Sequence, residues 1–412
     1  MDFFTIIAIL TTLAAVFAYI NTRFFKLPFT IGLMILAMVF TSIVVVLGHF
    51  FPSILSEATE LVLSLDFKSL LLEVMLSFLL FAGALHTKLD ALERNRGPII
   101  MLATLGVIIS ATLMGALVYN LLIWVGHPVD FIYCLLFGSL IAPTDPIAVL
   151  SILKEADAPK NLEVKIVGES LFNDGVGVVV FLVLMSIASQ GLENIVASDV
   201  ALLFVEEIGG GLALGLGGGY LAFRLMRSID HYETEVMLTL ALVMGLYTLA
   251  SSLHFSGPLA VVAAGLFIGN VSPKEAWSKT SQTYIDKFWE MLDVFLNAIL
   301  FVLIGLELLI VELDALHLTL GLAAIPLMLI ARYLSVLGPV EIYKERLEFA
   351  PKTAFLLTWG GIRGGISIAL ALSLGDEMHR ELFLAMAYVL VVFSILVQGL
   401  SLSSVLKRIL NN

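Results

Sequence analysis

Residues 141–150 of this chain read IAPTDPIAVL, and residues 167–180 read VGESLFNDGVGVVV. Both stretches lie within apolar runs long enough to span a membrane, yet together they contain three carboxylates, Asp145, Glu169 and Asp174. An ionised acid in lipid is costly unless a cation, a proton, a cationic partner or a water-filled cavity compensates its charge. A buried acid that has more than one such partner available can bind a metal cation and a proton in turn.

The composition is typical of a polytopic membrane protein. The chain has 412 residues, of which 60% are hydrophobic and 14% are charged, and its mean hydropathy is +1.04. Soluble globular proteins carry about 25% charged residues. The net charge of −12 argues against a nucleic-acid partner. The sequence has no P-loop for a nucleotide and no HExxH motif of a metal hydrolase, so we expect neither an enzyme nor an ATP-driven pump.

Apolar runs predict an all-α fold with about thirteen membrane spans in a single membrane domain, residues 1–412. A spanning helix needs about 20 apolar residues. The predicted spans are 3–20, 29–50, 68–86, 98–125, 130–153, 163–189, 199–226, 234–252, 256–271, 288–311, 316–342, 352–374 and 382–406. Two more polar stretches, 52–67 and 273–287, are typical of helices that lie at the membrane surface.

The distribution of Lys and Arg predicts the orientation of the spans. Eighteen of these 22 residues fall in alternate loops and in the C-terminal tail, whereas the opposite loops hold Lys68 and Arg380. By the positive-inside rule, the N-terminus lies outside and the C-terminus lies in the cytoplasm. Arg332 and Arg363 lie within spans. We expect Arg332 to form an internal ion pair or to face the cytoplasm, with a role in gating as the alternative.

Two predicted spans carry sequences that interrupt an α-helix. In span 5, Pro143 and Pro146 surround Asp145, and two prolines three residues apart should break the helix. In span 12, four glycines surround Arg363 in TWGGIRGGIS. One broken helix in each half of the chain predicts two six-helix inverted repeats, with half-helix ends that face each other near the membrane midplane. The half-helix ends carry partial charges that Asp145 and Arg363 can compensate.

The polar residues of span 6 are predicted to face in two directions. Ser170 and Asp174 lie one helical turn apart, whereas Asp174 is about 140° around the helix from Glu169. We therefore expect Ser170 and Asp174 to face the substrate path and Glu169 to face the protein interior. Asn173 is expected to hydrogen-bond to Thr144 or to Glu169.

Charge balance then predicts the partners of the buried acids. A buried arginine stays charged and needs an anionic partner, so we predict that Arg363 pairs with Glu169. Asp174 has no assigned cation, and a proton and a metal cation compete for it. Carboxylate, hydroxyl and carbonyl oxygens suit a hard cation and not zinc or copper. No cofactor is expected, and the single cysteine, Cys134, is interpreted as a small buried hydrophobe.

Five motifs run in order along the chain: APTDPIAVLSIL, VGESLFNDGVGVV, HFSGPLAVVAAGLFIG, LNAILFVLIGLEL and TWGGIRGGISIALALS. In order, spacing and span position they resemble those of the monovalent cation/proton antiporters of the NhaP and NHE type. The resemblance runs from about residue 25 to the C-terminus. One departure is Ala82, because NHE-type members often carry an acid in this part of the third span.

The resemblance implies a thirteen-helix homodimer in a bilayer, an integral multi-pass protein of a prokaryotic inner membrane. It also implies that the discontinuous helices of spans 5 and 12 cross each other in the core. Dimerisation helices are expected around 1–66 and 199–311, and core helices around 98–189 and 316–406. The implied activity is exchange of Na⁺ or Li⁺ for H⁺ by an elevator-like movement of the core.

The resemblance also implies roles for single residues. Asp174 would hold the cation and the proton alternately, and Glu169 would pair with Arg363. In this family, an asparagine before the essential aspartate, as at Asn173, accompanies electroneutral one-for-one exchange. The implied Na⁺ ligands are Asp174, Asp145, Ser170 and the main chain of Thr144.

Three other functions use similar ingredients. A K⁺/H⁺ antiporter of the same fold would share these ligand types, because cavity size decides between the two cations. A cation channel would also place acids in the membrane, but its subunit symmetry and filter loop are not visible in the sequence. A receptor or a membrane enzyme would need a ligand-binding extracellular region or a nucleophile with its base, and the predicted loops are too short for the former.

Overall fold

The computed structural model describes residues 3–63, 69–89, 93, 95–145, 149–150, 153, 160–190, 197–311, 314–343 and 352–410. Over these residues the regular structure is helical throughout. The second half of predicted span 5, which includes Pro146, lies largely outside the described residues.

The α-helices are, in chain order, α1 Phe3–Ile20, α2 Phe29–Gly48, α3 Pro52–Leu63, α4 Leu76–Leu85, α5 Arg96–Met101, α6 Val107–Val125, α7 Phe131–Ile141, α8 Lys160–Gln190, α9 Ala197–Met226, α10 Tyr232–Ser252, α11 Gly257–Glu275, α12 Lys279–Leu306, α13 Ala315–Tyr343, α14 Thr353–Trp359, α15 Gly365–Leu372, α16 Arg380–Phe393 and α17 Leu400–Leu410. The wider π-helical turns are Asn21–Phe25, Leu70–Met75, Leu102–Gly106 and Ser394–Gly399. Short 3₁₀ turns follow α12 at Glu307–Leu309 and precede α16 at Asp376–Met378.

The helices confirm an integral membrane protein with multiple spans. Among the described residues, nine helical segments are long and apolar enough to cross a membrane, and Leu70–Leu85 and Phe131–Ile141 are shorter apolar helices. The count of thirteen spans, the inverted repeats and the positions of the termini stay predictions.

The stretch 273–287 does not form a separate surface helix, which corrects the prediction made from its polarity. Its first residues complete α11, and Lys279 begins α12, which continues to Leu306. The Ser278 hydroxyl accepts a hydrogen bond from the Ser281 N–H at 3.2 Å and thus caps the start of α12. By contrast, the stretch 52–67 does contain a separate helix, α3, although residues 64–67 lie outside the described part of the chain.

Glycines at helix contacts allow neighbouring helices to pack closely. A Cβ on Gly138 of α7 would overlap the Ala111 carbonyl oxygen of α6, and a Cβ on Gly269 of α11 would overlap the Leu85 carbonyl oxygen of α4. Small residues serve the same purpose between helices in other membrane proteins. Cys134 is fully buried on α7, as its apolar surroundings predict.

Candidate functional site

The two predicted helix breaks are present, and they touch each other. α7 ends at Ile141, and residues 143–145 have no regular secondary structure, whereas α14 ends at Trp359 and α15 begins at Gly365. The Asp145 N–H donates a hydrogen bond of 2.7 Å to the Ile362 carbonyl oxygen. A main-chain bond therefore joins the interrupted segments, whose backbone groups would otherwise lack partners inside the membrane.

The close approach of the breaks requires a glycine at position 364. A Cβ built there would lie 2.5 Å from Oδ2 of Asp145, far inside normal contact distance. The glycines of the second break thus have two effects, since they end the helix and leave room for the acidic side chain of the first break.

We expect Gly364→Ala to displace the Asp145 carboxylate and thereby to weaken cation binding at least about fivefold, because overpacking costs about 1–3 kcal/mol and a factor of ten corresponds to about 1.4 kcal/mol. Cation-induced thermal stabilisation of the purified protein measures this effect. Gly338→Ala on α13 is the matched control, because a Cβ there meets no atom of the described residues within 4 Å. Equal cation affinity in both variants would contradict the prediction.

Arg363 caps the first half-helix. Its Nη1 donates hydrogen bonds to the carbonyl oxygens of Ala142 and Pro143, at 2.5 and 2.8 Å. These carbonyls lie at the C-terminal end of α7, where the aligned peptide dipoles leave partial negative charge. The predicted compensation of a half-helix end by Arg363 is confirmed, although this arginine reaches across to the other broken helix.

The predicted ion pair between Glu169 and Arg363 is wrong. Glu169 Oε1 lies 2.6 Å from Nη1 of Arg332, and both side chains are almost fully buried. Nη1 of Arg363 donates to the α7 carbonyls, and the buried carboxylate takes its counter-charge from Arg332 on α13 instead. The expectation that Arg332 forms an internal ion pair is confirmed.

Thr144, Ser170 and Asn173 form a buried hydrogen-bonded cluster between the first break and α8. The hydroxyl oxygens of Thr144 and Ser170 are 2.8 Å apart. Nδ2 of Asn173 donates to Thr144 Oγ1 at 2.7 Å and to Glu169 Oε1 at 3.4 Å, and its Oδ1 accepts from the Thr144 N–H at 3.3 Å. Asn173 therefore makes both of the contacts that were offered as alternatives.

Asp174 lies beside this cluster, one residue after Asn173 on α8. Its side chain is 2% exposed, and its Oδ1 has no hydrogen-bond partner among the residues that the structure describes. It interacts electrostatically with Asp145, Glu169 and Arg363. A buried carboxylate oxygen without a partner costs free energy unless it carries a proton or binds a cation.

A cavity of about 680 Å³ connects Asp174 with the protein surface. Asp145 and Thr144 line it together with Asp174, and the partly exposed His86 and Asp286 line it as well. Glu169 is not among the lining residues. The two acids of α8 therefore differ as predicted: Asp174 lines an open path, and Glu169 is paired inside the protein. Ser170 contacts the site through Thr144.

Sequence reasoning missed a row of acids on α12. Asp286, Glu290 and Asp293 line the same cavity as Asp174. Their spacing of four and three residues places them on one helix face, a signal that was available in the sequence. It was overlooked because residues 273–287 were interpreted as a separate surface helix. These acids place negative charge along the path to the site.

Comparison with known proteins identifies the family. The sequence model that describes the family of transmembrane sodium/hydrogen exchangers matches residues 11–408 of this chain. The chain belongs to this family. The chain is 47% identical, over 98% of its length and 96% of the relative's, to the Na⁺/H⁺ antiporter NhaP of Pseudomonas aeruginosa. It is 33% identical to the Na⁺/H⁺ antiporter NhaH of Halobacillus dabanensis, over 83% of this chain and 84% of the relative.

Solved structures agree with this assignment to the sodium/hydrogen exchanger family. The sodium proton antiporter MjNhaP1 of Methanocaldococcus jannaschii, solved at pH 8, superposes with a TM-score of 0.78 over the full length of both chains at 21% identity. At that identity the likeness shows that the two proteins share a fold. The resemblance read from the five sequence motifs is confirmed at the level of fold and family.

Proposed function

We propose that this sodium/hydrogen exchanger exchanges Na⁺ or Li⁺ for H⁺ across a bacterial inner membrane, with Asp174 as the group that carries either ion. The observation that carries the proposal is the buried Asp174 oxygen, which has no partner among the described residues, at a cavity that also reaches Asp145 and Thr144. Oxygen ligands of this kind suit hard cations. The relatives named Na⁺/H⁺ antiporters support the choice of ions.

The charges around Asp174 favour electroneutral one-for-one exchange. Arg332 neutralises Glu169, and Asn173 places a neutral amide where a second acid would add charge. If one proton and one monovalent cation alternate on the same carboxylate, the site has the same net charge in both loaded forms. The Na⁺ ligands of this proposal are Asp174, Asp145, the Ser170 hydroxyl and the main chain of Thr144.

Alternating access requires the site to face each side of the membrane in turn. In our proposal, the core around 98–189 and 316–406 moves against dimerisation helices around 1–66 and 199–311, and two copies of the chain form a homodimer. The cavity then opens to the cytoplasm, because Lys88 lines it and the positive-inside rule places the Lys88 loop on that side.

Ion-driven proton movement in proteoliposomes tests the proposed exchange. An internal pH dye is followed while Na⁺, Li⁺ or K⁺ is added. Valinomycin and potassium clamp the voltage when Na⁺ or Li⁺ is tested, and both the clamp and the valinomycin are omitted when K⁺ is tested. Dissipation of the pH gradient by Na⁺ or Li⁺ without current supports the proposal. A response to K⁺ alone favours a K⁺/H⁺ antiporter, single-channel current favours a channel, and no response to any cation rejects exchange.

Competition for one carboxylate predicts a specific pH dependence. As the pH falls, protons occupy Asp174 more often, so the apparent KM for Na⁺ should rise, by up to about tenfold per pH unit, while the maximal rate at saturating Na⁺ is retained. Initial exchange rates measured over a Na⁺ series at equal pH on both sides check this. A KM that is constant with pH while the maximal rate changes would show that protons act elsewhere.

A further inference from the structure

The last membrane segment contains a polar pair that the proposed exchange does not yet use. A π-helical turn, Ser394–Gly399, interrupts the segment between α16 and α17. Ser394 and Gln398 are both fully buried there, and the Ser394 hydroxyl donates a hydrogen bond of 2.6 Å to Gln398 Oε1. Wide turns of this kind are rare and recur at functional sites.

The Gln398 amide caps the second broken helix. Its Nε2 donates to the carbonyl oxygen of Trp359 at 3.1 Å and reaches that of Thr358 at 3.5 Å. α14 ends at Trp359, so its last carbonyls have no partner within their own helix. A neutral amide satisfies them without placing another cation near Arg332 and Arg363, which already repel each other.

Ser394 extends the contact from the π-helical turn to the second break. Its hydroxyl oxygen accepts a hydrogen bond of 2.8 Å from the Arg363 N–H. The Arg363 side chain in turn donates to the carbonyls of Ala142 and Pro143, directly before Thr144. Buried hydrogen bonds, linked through the Arg363 side chain, therefore connect Gln398 with the main chain that precedes the proposed Na⁺ ligands.

We propose that Gln398 and Ser394 are positioning residues that set the geometry of the cation site through Arg363 and thereby its discrimination between Na⁺ and Li⁺. The inference rests on the proposed exchange function. The reason is geometric: the smaller cation requires shorter distances to its oxygen ligands, so a shift of the Thr144 main chain changes the affinities for the two ions unequally. Neither residue touches the cation in this proposal.

Gln398→Leu and Ser394→Ala test the positioning role, and Ser394→Thr, which keeps the hydroxyl, tests rescue. We expect the first two variants to raise the KM for Na⁺ about five- to tenfold, because a buried carbonyl or amide is left unpaired. The ratio of the Li⁺ and Na⁺ KM values should change as well, and Ser394→Thr should restore both. Exchange in proteoliposomes and cation-induced thermal stabilisation of the detergent-solubilised protein are both measured.

Ser401→Ala is the matched control. The Ser401 hydroxyl accepts a bond of 2.9 Å from the Trp359 indole N–H, so its loss disturbs the same region without freeing a main-chain carbonyl of the break. A lower maximal rate with both KM values and their ratio unchanged would overturn the positioning role. An equal change in Ser401→Ala would also overturn it.

The two proposals fail in different ways. If the wild-type protein exchanges Na⁺ or Li⁺ and the Ser394 and Gln398 variants keep its KM ratio, only the positioning inference is overturned. If the wild type neither transports nor is stabilised by any monovalent cation, the proposed function is overturned, and the positioning inference with it. Because Ser394→Ala removes a single oxygen atom, it tests the inference even if Gln398→Leu does not fold.

Discussion

Asp174→Asn is expected to reduce Na⁺-driven proton movement to the level of protein-free liposomes. An amide has nearly the same shape as the carboxylate, but it neither ionises nor takes up a proton in this pH range. The variant therefore removes the carboxylate that is proposed to carry the ions, while the buried surroundings of the side chain stay filled. The measurement is the same proteoliposome assay, with the voltage clamped and the amount of reconstituted protein matched.

Asp376→Asn is the matched control for Asp174→Asn. Asp376 is an exposed aspartate whose Oδ1 lies 2.5 Å from Nη2 of Arg380, and it does not line the cavity. We expect this control to exchange at the wild-type rate. If Asp174→Asn still exchanges, Asp174 is structural, and the carrier must be sought at Asp145 or Glu169.

Glu169→Gln and Arg332→Gln are each expected to destabilise the protein strongly. Both side chains are at most 3% exposed, and their charged atoms are 2.6 Å apart. Removing one member of a buried pair leaves the other charge uncompensated, which typically costs about 3–5 kcal/mol. The unfolding temperature of the detergent-solubilised protein measures the loss, together with the yield of folded protein after membrane extraction.

The double variant, which carries Glu169→Gln and Arg332→Gln together, separates the effect of an uncompensated charge from the effect of the changed side-chain shapes. With both charges removed, no uncompensated charge remains, so the double variant should be more stable than the sum of the two single losses predicts. Arg380→Gln is the control for an exposed pair and should change the unfolding temperature little. Additive losses in the double variant would show that Glu169 and Arg332 act independently.

Local sequence was sufficient to predict the helix breaks and the main polar residues. Prolines around Asp145 and glycines around Arg363 interrupt a helix in any surroundings, because the cause lies in the backbone of those residues. Helical spacing was likewise sufficient to place Glu169 and Asp174 on different sides of α8, and the structure confirms that one is paired internally while the other lines the cavity.

The partner of each charge could not be read from the same patterns. Arg332 and Arg363 are both buried arginines inside spans, and Glu169 could have paired with either of them. Arg363 bonds to the Ala142 and Pro143 carbonyls because the two helix breaks meet, and Arg332 is the partner of the acid. Gln398, which caps the second break from the last span, gave no sequence signal.

The amino-acid sequence alone was sufficient to predict a polytopic helical protein with an ion-binding function. The reason is that the apolar spans, the helix breaks and the uncompensated acids each follow from the properties of single residues in lipid. The meeting of Asp145 with Ile362, the ion pair of Glu169 with Arg332 and the open path to Asp174 join residues far apart in the chain. Only tertiary packing decided these contacts, because a buried charge or carbonyl binds the complementary group that the fold brings within reach.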